Sequence, residues 1–221
     1  MNVLITGSSS GIGHAAARNF ILRGHSVVGL DILPPPSELM SSPQYVHYTC
    51  NVADYDSLPT LDDIDIVINN AGMQNTDRDI AVNLQGTINC TKKYVLDNPC
   101  ICSVLNQCDA AVHTGAHLGE YLASKGGVLA YTKWTAKQIA ERGAVCNSLS
   151  CGGVMTDSND VVISNPELWR DVMELTPLKK WASEDQIAEW IYFLTVVNNS
   201  ASGQDFVVDN LESLNGKFIW N

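Results

Sequence analysis

Positive charge is scarce in this chain. Across 221 residues, 13 Lys and Arg stand against 24 Asp and Glu, a net charge of −11. No basic stripe breaks that excess, which argues against a nucleic-acid partner. Long apolar runs are lacking too: nothing approaches the ~20 residues a membrane-spanning helix needs, so no membrane partner is expected. The first apolar strand starts at Asn2, which leaves no room for a leader peptide and makes a cytoplasmic location the expectation. Seven cysteines is an odd number, and in a reducing cytosol free thiols are the expected state. Cys100, Cys102 and Cys108, with His113 downstream, fit no compact zinc-ligand spacing, so no metal is expected. Internal repeats and low-complexity segments are absent, and the length suits one domain with a full core, spanning residues 1–221.

What is present is an alternation of strand-like and helix-like segments from end to end. This predicts an α/β fold, a doubly wound parallel sheet between two layers of helices. Asn2–Thr6 reads as a strand and Gly7-Ser-Ser-Ser-Gly11-Ile-Gly13 as a turn, with an amphipathic run from His14 to Arg23 after it. Strand, glycine turn and helix in that order are the setting in which a glycine-rich motif binds a dinucleotide. Gly7 permits the tight turn, Gly11 lets the backbone approach a pyrophosphate, and Gly13 allows close helix–strand packing. The helix N-terminus, with Ser9, Ser10 and Ile12 in the turn, faces the phosphates. Asp31 ends the next strand about twenty residues on, where a carboxylate accepts from the ribose 2′-hydroxyl; this predicts NAD in preference to NADP.

Further along, Tyr121 and Lys125 are four residues apart on a predicted helix from about Gly119 to Arg142. That spacing puts them on one face. A nearby ammonium favours phenolate, so a lowered tyrosine pKa is expected, down from an ordinary value of ~10. One lysine rarely supplies the whole shift, and an oxidised nicotinamide ring would add to it.

The pattern Thr6-Gly-x-x-x-Gly11-x-Gly13 with Tyr121-x-x-x-Lys125 resembles the short-chain dehydrogenase/reductase family, in its small single-domain branch with a Rossmann fold. Asn69-Asn70-Ala71-Gly72, Val82-Asn83-Leu-Gln-Gly86 and Asn147 through Thr156 are similar to further family motifs, as are the segments at 176–181 and 202–209. The resemblance implies an NAD-dependent oxidoreductase acting on a carbonyl or secondary alcohol. Tyr121 would be the general acid or base, Lys125 would lower its pKa and hold the nicotinamide ribose, and Asn83 would order a relay water. Asn51 and Val52 would line the adenine pocket, Asn70, Ala71 and Gly72 would flank the cofactor, and Val154 and Thr156 would touch the carboxamide. The short segment at about 157–176 would be the substrate loop. The resemblance also implies a homo-dimer or homo-tetramer.

One family member is missing. A serine normally stands about a dozen residues before the tyrosine and polarises the substrate carbonyl. Here the strand reads Ile101-Cys-Ser-Val-Leu-Asn-Gln-Cys108-Asp109. Counting back from Tyr121 assigns the place to Cys108, a weak donor; matching the strand pattern assigns it to Asp109. Ser103 is too far upstream, and Thr114 or His117 in the next loop are substitutes. Losing such a donor costs ~10²–10³ in rate. An alternative therefore follows: an NAD-binding family member with little or no activity, serving a binding or regulatory role.

Overall fold

The computed structural model describes residues 1–115 and 119–214. Its centre is a seven-stranded parallel sheet in the order β3-β2-β1-β4-β5-β6-β9. The strands are β1 (Asn2–Thr6), β2 (Ser26–Asp31), β3 (Tyr45–Thr49), β4 (Ile66–Asn69), β5 (Ser103–Asp109), β6 (Val145–Cys151) and β9 (Asp205–Val208). A short pair, β7 (Val154–Met155) and β8 (Ala182–Ser183), lies outside it. Chain order reverses direction beside β1, between β1 and β4, and in sheets of this kind ligands bind beyond the strand C-termini at that point.

Side chains alternate across each strand, and the two faces acquire separate cores. Val3, Ile5, Ile66, Ile68, Leu105 and Leu149 meet Phe20 of α1 (Gly11–Leu22) and Ile187 and Ile191 of α7 (Glu184–Tyr192). Leu4, Val67 and Val104 meet Tyr94 of α3 (Gly86–Tyr94) and Ile139 of α4 (Gly119–Ile139) on the other face. Each such buried side chain contributes roughly 1.5–3 kcal/mol. The doubly wound sheet expected from the sequence is therefore the fold observed.

Local details differ from expectation. The fifth strand starts at Ser103 rather than Ile101, so Cys100 and Cys102 are exposed ahead of it, while Cys108 is buried. The fourth starts at Ile66. Between β3 and β4 the chain makes one 3₁₀ turn, Tyr55–Ser57. The short α2 spans Ser37–Met40, α4 runs on into a 3₁₀ turn, Ala140–Arg142, capped by a left-handed Gly143 at φ 73°, and the variable region folds into α5 (Asp160–Ile163) and α6 (Pro166–Leu175). Trp169 of α6 packs edge-on against Trp181, ring centroids 5.1 Å apart, as a helix face would. Asp79, at the start of the π turn Ile80–Gln85, is buried and accepts from the backbone N–H groups of Asn75 and Thr76.

Candidate active site

The glycine-rich turn is built by close approach. Gly7 has φ +68°, and a Cβ on it would lie 2.9 Å from Ala71 Cα. A Cβ on Gly13 would lie 2.0 Å from Gly7 O, so α1 seats directly on the end of β1. Gly11 is different: its nearest neighbours, Thr156 Cγ2 and Glu184 Oε1, would be 3.8 and 3.9 Å from a Cβ. A side chain there would only touch Thr156 and Glu184 at ordinary contact distance. Ser10, exposed at the N-cap, makes no side-chain cap, and no acid lies in the helix's first turn. The first N–H groups of α1 thus lack a capping side chain, which fits a cofactor pyrophosphate. Ile12 packs against the core below.

Asp31 stands beside this turn. Its Oδ2 accepts from Ser9 N at 2.9 Å and its Oδ1 from Leu33 N at 2.9 Å. On the other side, Thr6 Oγ1 accepts from Asn70 N and Ala71 N, both at 2.9 Å, and Asn70 Nδ2 donates to Thr6 O at 3.0 Å. These bonds fix the 69–72 segment at the end of β1. Asn51 Oδ1 accepts from Ala53 N at 3.1 Å, and Val52 is buried against Gly86 of α3. Val154 is buried in β7, and Thr156 follows over Gly11.

At the C-terminal end of β5 the reacting groups converge. Tyr121 Oη donates to Asp109 Oδ2 at 2.7 Å. Asp109 is held in turn by Ala111 N, which donates to Oδ1 at 2.7 Å. Lys125 Nζ donates to Gln107 O at 3.0 Å and lies 5.8 Å from the Tyr121 ring centroid. A Cβ on Gly72 would lie 3.3 Å from Asn83 Oδ1 and 3.6 Å from Lys125 Nζ, so the 69–72 turn, Asn83 and Lys125 meet there.

Asn83 lies in a widened π turn, Ile80–Gln85, ahead of α3. Its side chain is fully used: Oδ1 accepts from Met73 N at 2.8 Å, while Nδ2 donates to Met73 O at 2.8 Å and to Ser124 Oγ at 3.0 Å. This clamp ties the loop after β4 to α4. Widened turns of this sort recur at functional sites.

Cys108 and Asp109 both reach α4, one at the Lys125 carbonyl and the other at a side chain, and one of them bonds the Tyr121 hydroxyl. It is Asp109. Cys108 is 3% exposed, and its Sγ donates to Lys125 O at 3.4 Å beneath α4. Burial pushes its thiol up to about 11. Placing Cys108 against the tyrosine hydroxyl is therefore corrected to Asp109. Thr114 Oγ1 is bonded to Ala111 O at 3.1 Å; His117 lies outside the described residues.

The expected lowering of the Tyr121 pKa is corrected as well. Burial first, and then the Asp109 carboxylate, push it well above the ordinary tyrosine value. Burial pushes Lys125 down, against the opposing pull of Cys108 and Asp109. Tyr121 is therefore held as a phenol in the absence of cofactor.

Glu184 was missed from sequence. Its carboxylate sits over Gly11, and burial, then the neighbouring Asp157, raise its pKa. Nothing in the sequence places the start of α7 beside the glycine turn. Among the described residues, no cluster of His, Cys, Asp and Glu is arranged to hold a metal ion, and no helix is long and apolar enough to cross a membrane.

The family profile for short chain dehydrogenases matches residues 1–167. A 3-oxoacyl-[acyl-carrier-protein] reductase of Synechocystis sp. is 28% identical, the match covering 93% of this chain and 94% of that one. Among solved structures, 4-hydroxyisoleucine dehydrogenase complexed with NADH superposes with a TM-score of 0.88 at 24% identity, covering 98% of this chain and 99% of that one. ElxO with NADP bound gives 0.84 at 22% identity, covering 96% and 98%. The glycine turn, the strand order and the profile match agree: this chain belongs to the short-chain dehydrogenase family.

Proposed function

We propose that the chain, as one dinucleotide-binding unit over residues 1–221, is an NAD-dependent oxidoreductase for a carbonyl or secondary-alcohol substrate. The observation that carries this reading is the convergence, at the C-terminal end of the sheet, of Asn83 and Lys125 beside Gly72 with the bonded pair Tyr121 and Asp109 one helical turn from Lys125. Bound nicotinamide would accept or donate hydride. Gly7, Gly11, Gly13 and the start of α1 would hold the pyrophosphate, with Ser9, Ser10 and Ile12 lining the turn. Asp31 would accept from the ribose hydroxyl, Asn51 and Val52 would border the adenine, and Asn70, Ala71, Val154 and Thr156 would flank the nicotinamide half. Tyr121 would handle the substrate proton. Lys125, buried and one turn from Tyr121, would supply positive charge at the nicotinamide ribose, and Asn83 would hold the loop that closes this corner.

Names among the relatives support the substrate class from both directions, since one is a reductase of an oxoacyl group and another a dehydrogenase of a hydroxylated amino acid. Trp134, 42% exposed on α4 and stacked on Tyr131, supports a homo-dimer or homo-tetramer.

Titration of the purified protein with NAD, followed by a panel of secondary alcohols and ketones, tests the reading. Tyr121→Phe is expected to abolish turnover while NAD affinity stays within a few-fold, because the ring is kept and one hydroxyl is lost. Unchanged turnover in that variant would move the proton chemistry off Tyr121. A second reading, an NAD-binding member with little or no activity in a regulatory role, is favoured by one observation: a carboxylate occupies the place where a hydroxyl donor would polarise a carbonyl. NAD binding without turnover of any alcohol or ketone would select it.

A further inference from the structure

The bond between Tyr121 and Asp109 changes what the site offers a substrate. A phenol has one proton to donate, and Tyr121 commits it to Asp109 Oδ2 at 2.7 Å. Its oxygen therefore presents only acceptor capacity to the pocket. Asp109, with Oδ1 engaged by Ala111 N, likewise only accepts. Among the described residues no ion pair joins Lys125 to Asp109, and its Nζ donates to Gln107 O. A carbonyl oxygen brings a third acceptor to such a site. A hydroxyl brings a donor.

We propose that Asp109 is the proton acceptor of this site, taking the Tyr121 hydroxyl proton as Tyr121 takes the proton of a substrate hydroxyl, so that the substrate the site is built to receive is a secondary alcohol. The proposal rests on the nicotinamide-dependent reading above. In the step, the carbinol C–H bond breaks and its electron pair leaves as hydride to an oxidised nicotinamide. The O–H pair becomes the second C–O bond, the hydroxyl proton bonds to Tyr121 Oη, and the proton Tyr121 gives up bonds to Asp109 Oδ2. The product is a ketone, and Asp109 returns its proton to water.

The surroundings suit this division of labour. Burial and the Asp109 charge keep Tyr121 a phenol, so it serves as a base only by handing its own proton on. The titratable and charged groups facing the pair are Lys125 from α4, Cys108 from β5, Cys151 from β6 and Asp79 from the turn before α3. Beyond the turn after β5, His113 Nε2 lies 2.8 Å from Asp205 Oδ2. Lys125 is the cation among the groups that face the pair, and burial works against its charge.

The first measurement needs neither cofactor nor substrate. Phenolate absorbance is titrated in the wild type and in Asp109→Asn, each minus its Tyr121→Phe counterpart. Removal of the carboxylate is expected to let the Tyr121 phenolate appear at lower pH. The second is the pH profile of alcohol oxidation with NAD. The wild type is expected to lose kcat/KM on the acid side through a single ionisation. Asp109→Asn is expected to lose that limb and about 10²-fold in kcat, the scale of general-base catalysis. Asp109→Ser, a second variant should the amide not fold, is expected to lose the same limb. Equal phenol titration in wild type and variant, or an acid limb that survives both substitutions, overturns the proposal. Failure of the wild type to bind NAD would overturn the proposed function and this inference with it, whereas NAD binding and turnover indifferent to Asp109 overturn this inference alone.

Discussion

Asp31 Oδ2 and the Ser9 main-chain N–H are 2.9 Å apart, so the acid that ends β2 is anchored to the glycine-rich turn at the end of β1. The anchor holds a carboxylate beside the place where an adenosine ribose would lie, and a 2′-phosphate there would meet like charge. NAD is therefore expected to bind more tightly than NADP. Asp31→Ala is expected to narrow the difference by about tenfold, ~1.4 kcal/mol, and to weaken both cofactors somewhat, because the Ser9 and Leu33 N–H groups lose their acceptor. Calorimetric titration with both cofactors checks this; equal or tighter NADP binding in the wild type contradicts it.

Glu184 gives a second expectation. Its carboxylate lies over Gly11, where the pyrophosphate would come to the start of α1. Two like charges about 4 Å apart near a protein surface repel by up to ~4 kcal/mol before salt screening and side-chain movement reduce it. Glu184→Gln is expected to tighten NAD binding by roughly tenfold. The sign with pH follows from its raised pKa, caused first by burial and then by Asp157. The group neutralises early as pH falls, so wild-type NAD affinity is expected to rise toward the acid side, and Glu184→Gln is expected to flatten that rise. Weaker binding in the variant would show that Glu184 holds the cofactor rather than opposing it.

How far the sequence carries can be judged residue by residue. Gly7, Gly11 and Gly13 were legible because turn geometry is local: a left-handed φ at Gly7 and the 2.0 Å approach at Gly13 admit no Cβ. The spacing of Tyr121 and Lys125 was legible because helical period is local too. The choice between Cys108 and Asp109 was not. It depends on which of two consecutive residues at the strand's end reaches the Tyr121 hydroxyl, and that is fixed by how α4 packs on β5. The direction of the Tyr121 shift went wrong for the same reason, since the nearby acceptor was uncounted. Glu184 over Gly11 is purely tertiary, set by α7 packing on α1. The full use of Asn83 by Met73 and Ser124 likewise depends on a widened turn that no periodicity announces.

Cys108 supplies the last expectation, because two readings of one strand part company there. Its sulfur is buried and bonded to Lys125 O, while the Tyr121 hydroxyl is bonded to Asp109. A serine hydroxyl in its place keeps that bond with a stronger donor and a slightly smaller atom. Cys108→Ser is therefore expected to leave turnover within about threefold and stability within ~1 kcal/mol, the scale of one hydrogen bond, while Asp109→Ser changes the pH profile. Thiol chemistry gives an independent check on the same placement. Cys100 and Cys102 are exposed, and Cys50, Cys90, Cys108, Cys146 and Cys151 are buried. In the native protein an aromatic disulfide reagent is expected to label Cys100 and Cys102 quickly and the buried five only after unfolding. Cys108→Ser should leave the fast count untouched and lower the unfolded total by one. A fall in the fast count would put the Cys108 thiol within reach of solvent, and a tenfold change in turnover would give that thiol a part in the reaction.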